Sequence, residues 1–181
     1  MIRLLLGLFG GLLFWTLFEY GLHRVLGHAR VVGQVVRREH TAHHVDPNYF
    51  TPLVRKSMGL LPVFGGLFAV VFFAAGQSAA IGMTVGMVAG WLTYEFLHQA
   101  IHLRAPRNAY GVWARRHHLY HHFGNAKLNH GVTTPLWDHV FGTYVRPSMI
   151  VIPHKYTNKF PWLQGARSEA TARWADEYHL T

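Results

Sequence analysis

The 181-residue chain contains no cysteine. That excludes disulfides, zinc–thiolate sites, iron–sulfur clusters and thiol nucleophiles, so any redox chemistry needs another ligand set. Acids are scarce too: eight Asp and Glu stand against 17 Lys and Arg, a formal net charge of +9. In a soluble protein such an excess would suggest nucleic acid. Here the location of the charge argues otherwise. Lys and Arg are missing from three apolar stretches, Leu4 to Leu22, Met58 to Ala75 and Ala79 to Leu97, and Glu19 and Glu95 are the only acids in them.

Each stretch is 18 or 19 residues long, roughly 27–28 Å as a helix, against a hydrocarbon core of about 30 Å. Buried helices of a soluble bundle usually keep a polar face. Here Leu-Leu-Leu, Phe-Gly-Gly-Leu-Phe and Val-Val-Phe-Phe run round the whole helix. The first stretch also resembles a signal peptide, but no small-residue cleavage site follows it, and it is read as a retained helix. Only Arg3 among the basic residues precedes the first span, and none lies in the turn at Gly76 to Ser78. The positive-inside rule then puts segments 23–57 and 98–181 on the cytoplasmic side, as a basic collar facing anionic headgroups. The expected fold is all-α: one membrane-embedded domain over 1–181, with three spans near 4–22, 58–75 and 79–97 and a histidine-rich cytoplasmic cap. No nucleic-acid partner is expected. Gly82, Gly86 and Gly90 share one helix face, which suits close packing within the bundle or, less well, dimerisation. Prolines 147, 153 and 161 argue against a long helix before Trp162, and 166–178 suits a short surface helix.

Histidine is abundant. Eleven of the 15 fall in windows 23–44 and 98–122. A spaced pair followed by an H-x-x-H-H triad occurs twice: His23 and His28, then His40, His43 and His44; His98 and His102, then His118, His121 and His122. On a helix, positions i, i+3 and i+4 share one face, so each triad presents two imidazoles toward one point with a third just round the surface. His23 and His28 are five apart, about 140° round a regular helix. That pair needs a distorted helix end, or its members serve different metals. Neutral imidazole ligates Fe, Zn, Cu and Ni, and ten imidazoles suit two ions. His117 neighbours a triad but falls outside the pattern, so it is read as supporting the ligands or lying at the surface. His130, His139, His154 and His179 are isolated and are read as ordinary histidines. No Asp or Glu occupies a patterned position, so carboxylates are expected one layer out, bonding free imidazole N–H groups. The candidates are Glu95 foremost, then Glu39, Asp46, Asp138 and Glu19. Tyr20, Trp91, Tyr94 and Trp137 are read as interfacial anchors or as lining for a substrate channel.

These motifs resemble the fatty acid hydroxylase / sterol desaturase superfamily. The residues that carry the resemblance are His23-Arg-Val-Leu-Gly-His28, His40-Thr-Ala-His43-His44, His98-Gln-Ala-Ile-His102, His118-Leu-Tyr-His121-His122 and the stretch Gly131 to Tyr144. It covers roughly residues 19 to 144, and the look is closest to the branch that hydroxylates fatty acyl or sphingolipid acyl chains. The resemblance implies a membrane di-iron monooxygenase: two iron ions, O2, a lipid substrate and hydroxylation at an unactivated C–H bond. Zinc can fill such imidazole sites by affinity alone. With no fused cytochrome b5 domain, electrons are expected from a separate cytochrome b5-like or ferredoxin-like protein. Sterol or carotenoid hydroxylation and desaturation share the same metal site and stay open. A membrane metal-binding or transport protein is the alternative of another class, but a transporter should place ligands near mid-membrane.

Overall fold

A computed structural model describes residues 1–28, 33–164 and 177–181. The chain forms two compact units: Met1–Glu19 with Thr51–Glu95, and Tyr20–Phe50 with Phe96–Thr181. Its elements in order are helix α1 (Ile2–Gly21), a π-helical turn (Leu22–Gly27), α2 (Gln34–Val45), α3 (Leu53–Ala75), α4 (Gln77–Leu103), α5 (Ala109–Phe123), α6 (Leu136–Val140), strand β1 (Ile150–Ile152), a 3-10 turn (His154–Lys159), α7 (Pro161–Gln164) and strand β2 (Tyr178–Leu180).

Three helical runs, Ile2–Gly27, Leu53–Ala75 and Gln77–Leu103, are long and apolar enough to cross a membrane. The 23 residues of the shortest give about 34 Å, more than a hydrocarbon core needs. Only 11–33% of the most apolar window of each is buried within the chain, so most of that surface faces outward, as lipid-facing helices do. Each run is longer than the apolar stretch read from sequence, because polar and histidine-bearing turns continue the same helix.

In the first unit, α1 and α4 touch backbone to backbone. A Cβ built on Gly86 would lie 2.2 Å from the Leu8 carbonyl oxygen, and one on Gly82 2.1 Å from that of Leu4. Gly7 and Gly11 meet α4 in the same way, and Gly90 lies against the Trp15 ring. The glycine stripe therefore serves packing within the bundle. Trp15, Leu60, Phe64 and Met87 form the buried core of this unit. A single glycine, Gly76 at φ +88°, turns the chain from α3 into α4, a backbone conformation that costs side-chain-bearing residues.

The second unit is built round α5, whose buried face carries His117, His118, Leu119 and His121. Asn108 caps it, its side chain accepting from the Gly111 N–H at 2.8 Å. Leu119 packs with Ile150, Ile152, Phe160, Trp162 and Tyr178 in a separate core. Here the all-helical expectation gains a small addition: β1 and β2 pair in parallel, Ile150 opposite Tyr178. The surface helix expected over 166–178 falls mostly outside the described residues, and at Tyr178 the chain is strand instead.

Candidate metal centre

The ten patterned histidines form two groups, both in the second unit. His23, His28, His40, His44 and His121 make one, and His43, His98, His102, His118 and His122 the other. Within each, the ligand nitrogens all lie within 4.8 Å of one another. The grouping crosses the sequence repeat. In each H-x-x-H-H triad the first and last histidines, one helical turn apart, stay with their own half of the chain. The middle ones, His43 and His121, exchange. On α2 and α5 the i+3 side chain points round the helix, and there it meets the opposite group. The groups also touch: the His44 and His122 rings stack at 4.2 Å, 15° from parallel.

His23 and His28 belong to one group because the helix distorts where the sequence demanded it. Leu22–Gly27 is π-helical. Its wider turn brings residues five apart towards one face, a feature that recurs at functional sites.

Backbone carbonyls fix the tautomers of three rings. His23 Nδ1 meets the His130 carbonyl, His121 Nδ1 that of Leu128 at 2.8 Å, and His43 Nδ1 that of Tyr49 at 2.8 Å. A carbonyl only accepts, so Nδ1 carries the proton in each, and Nε2 presents a lone pair. His23 Nε2 then faces His121 Nε2 at 2.9 Å. Two lone pairs at that distance repel unless a cation lies between them. His28 Nε2 lies 3.0 Å from His121 Nε2 and 2.9 Å from His40 Nε2, which lies 2.9 Å from His44 Nε2. In the other group His118 Nε2 lies 3.0–3.1 Å from those of His98, His102 and His122. Each donor set fits one divalent ion.

The electrostatics agree. Burial, reinforced by neighbouring imidazoles, pushes His40, His118, His121 and His122 well below the usual histidine range, and His44 down to about 3. Burial also lowers His28. These rings are neutral near pH 7, the state a metal ligand requires. Phe50 packs on His43, His98 and His102, and Phe160 stacks on His102. Both rings help keep water from the second group.

The acids behave differently from expectation. Glu95 pairs with Lys56 at 2.6 and 2.8 Å and accepts from Trp91 Nε1 at 3.1 Å; a carboxylate near a span end has found a cation rather than an imidazole. Asp46 accepts from the Asn48 N–H and from Lys159, both at 3.1 Å, and Glu19 from Trp15 Nε1 at 3.1 Å. Glu39 and Asp138 act at one remove. Glu39 takes the Tyr49 hydroxyl, and the Tyr49 carbonyl anchors His43. Asp138 is fully buried. Its Oδ1 accepts from the His130 N–H at 2.8 Å and Thr143 Oγ1 at 2.7 Å; its Oδ2 accepts from the Gly131 N–H at 2.8 Å and His117 Nε2 at 3.0 Å. Burial alone would raise this carboxyl, but the bonds from His117, Thr143 and Gly131 outweigh it and hold it below the ordinary range. The turn thus fixed presents the His130 carbonyl to His23.

His117 is therefore a buried partner of Asp138. His130, read from sequence as isolated, packs 5.2–5.7 Å from the rings of His23, His28 and His121. Burial lowers it to about 4, against a raising pull from Asp138. Its carbonyl and those of Tyr49 and Leu128 leave no mark in the sequence, since a backbone acceptor has no residue signature.

The chain is similar to known proteins over most of its length. Residues 8–143 match the family described as fatty acid hydroxylase. The dihydroceramide fatty acyl 2-hydroxylase FAH2 of Arabidopsis thaliana is 30% identical over 137 residues, covering 74% of this chain and 58% of that protein. The fatty acid 2-hydroxylase of Macaca fascicularis is 32% identical over 149 residues, covering 75% and 38%. A solved structure, full-length scs7p with only its hydroxylase domain visible, superposes with a TM-score of 0.63 at 29% identity, over 81% of this chain and 56% of that one. The chain thus spans about half the length of such relatives, or less.

Proposed function

The chain belongs to the fatty acid hydroxylase family, and from that premise we propose that it hydroxylates a lipid acyl chain with O2 at two metal ions held by its ten clustered histidines. The observation that carries this reading is the pair of five-histidine groups whose Nε2 lone pairs face one another. Relatives named as fatty acid and dihydroceramide fatty acyl 2-hydroxylases support a fatty acid or sphingolipid acyl chain as substrate.

His23, His28, His40, His44 and His121 would hold one ion; His43, His98, His102, His118 and His122 would hold the other. Two redox-active ions, iron by family, would supply O2 activation: one oxygen atom enters the C–H bond and the other leaves as water, with two electrons from a separate redox protein and two protons from water. The chain's own residues do the rest. The carbonyls of His130, Leu128 and Tyr49 set ring orientation. Burial keeps the ligands neutral, and Phe50 and Phe160 exclude water that would quench a reactive oxidant. The whole chain acts as one membrane-embedded hydroxylase domain, and the basic residues gathered after the first span support a cytoplasmic metal site.

The test compares lipid extracts, by mass spectrometry, from cells expressing the intact chain or His43→Ala, with a redox partner supplied. A hydroxylated acyl species made only by the intact chain is expected. A species short of two hydrogens would reassign the reaction to desaturation. No new species, from a protein binding no stoichiometric metal, would overturn the enzyme reading.

A further inference from the structure

Helix α6 has two unlike faces. Inward, Asp138 holds the turn that anchors His23. Outward, Leu136, Val140 and the following Phe141 are 43%, 58% and 49% exposed. A five-residue helix gains little stability by itself, and three large apolar side chains left about half in water forgo part of their burial. The surroundings of Phe141 say what covers them. Its ring stacks on Tyr20 at 5.3 Å, 16° from parallel. Tyr20 belongs to the apolar run Ile2–Gly27, and its hydroxyl bonds Thr143 at 2.9 Å. Phe141 at the end of α6 therefore lies against the polar end of a membrane-length helical run. Arg24 lies across both rings, 5.8 Å from each centroid, and donates to the Tyr20 hydroxyl at 2.8 Å. Aromatic rings with a cation at their edge are what the headgroup boundary favours. The polar residue His139 is drawn aside, stacked on Tyr144 at 3.9 Å.

We propose that α6 is an interfacial helix, seated by Leu136, Val140 and Phe141 in the boundary between lipid headgroups and acyl chains. Its inner residue Asp138 then fixes the height of the His23 group above the acyl chains. Through Asp138 and the His130 carbonyl, the seat connects to the group that contains His23. The inference rests on the reading of Ile2–Gly27 as a membrane span.

Because the chain has no cysteine, single sites can be labelled cleanly. Val140→Cys, Leu13→Cys and Lys127→Cys are each spin-labelled in the full chain, reconstituted in phosphatidylcholine–phosphatidylglycerol vesicles. Collision rates with O2, which partitions into lipid, and with a water-soluble nickel chelate are read by power saturation. All three residues are exposed, and metal content equal to that of the intact chain verifies folding. The label at Val140 should show an oxygen-to-nickel ratio several-fold above that at Lys127, approaching Leu13. A ratio at Val140 equal to that at Lys127, with Leu13 in lipid, overturns the interfacial helix alone. Nickel access at Leu13 as well overturns the span and the inference with it.

Discussion

Exchanging Asp138 for Asn would keep its shape and remove its charge, which isolates what the carboxylate does. Asp138 has four donors on two oxygens. The amide oxygen of Asn can keep the His130 N–H and Thr143 Oγ1. Its NH2 then faces the Gly131 N–H and His117. His117 can switch tautomer and accept; Gly131 cannot. A Cβ at Gly131 would lie 2.2 Å from the Thr134 carbonyl oxygen, so this turn has little room to move. One buried N–H therefore loses its acceptor, at about 1–3 kcal/mol, and the remaining bonds lose their charge assistance, for a total of about 2–4 kcal/mol. The loosened element carries the His130 carbonyl, and that carbonyl orients His23. Outer partners of metal ligands are worth about 10–100-fold in affinity. The loss should fall on the His23 group and spare the His43 group. On the proposed two-ion reading, the assay is a chelator titration of purified, metal-loaded protein, with metal per chain read by elemental mass spectrometry. The variant should release its first ion at about 10–100-fold lower chelator and keep the second as the intact chain does. An equal shift of both ions, or of neither, would refute the route from Asp138 through His130 to His23.

Two further outcomes follow from packing and protonation. Gly86→Ala would put a methyl group 2.2 Å from the Leu8 carbonyl oxygen, forcing α1 and α4 apart at about 1–3 kcal/mol; a lower thermal midpoint in detergent is expected, and an unchanged one would contradict the close approach. The metal-stripped chain should lose stability as pH falls from about 6.5, the unperturbed histidine value, towards the value of about 3 for His44. Below 6.5 the unfolded chain takes up protons that the buried rings refuse, and above it both states are neutral, so stability is flat there. Denaturant midpoints at pH 7.5, 6 and 5 read this directly, and equal midpoints would mean the rings are not buried in the metal-free fold.

The clustering of the histidines was legible because helical spacing places side chains: i, i+4 pairs and H-x-x-H-H gather imidazoles at one end of a helix. The three long helices were legible from their lack of charge, although their ends were not, since lysine and histidine turns continue them. The five-residue gap between His23 and His28 left two readings, a distorted helix end or service to different metals, and the π-helical turn matches the first. Which histidine joins which group was not legible. It depends on how α2 and α5 face each other, a tertiary fact that the repeat conceals. Glu95 misled for a related reason: a carboxylate near a span end does need a partner, but Lys56, 39 residues away in sequence, supplies it. The roles of Asp138 and Glu39 run through backbone carbonyls, which every residue possesses.

The exchange of His43 and His121 bears on how such a protein is made. Four ligands of the first group are synthesised by residue 44, whereas the second group has only His43 until residue 98 is added. A ribosome therefore releases four of the five histidines of one group long before four of the other five are made. The first group must wait for His121 to close it, and the second for His122, within the same helical turn of α5. On the proposed two-ion reading, chain synthesis would impose a schedule on metal entry, with the late helix acting as the clasp that shuts both compartments together.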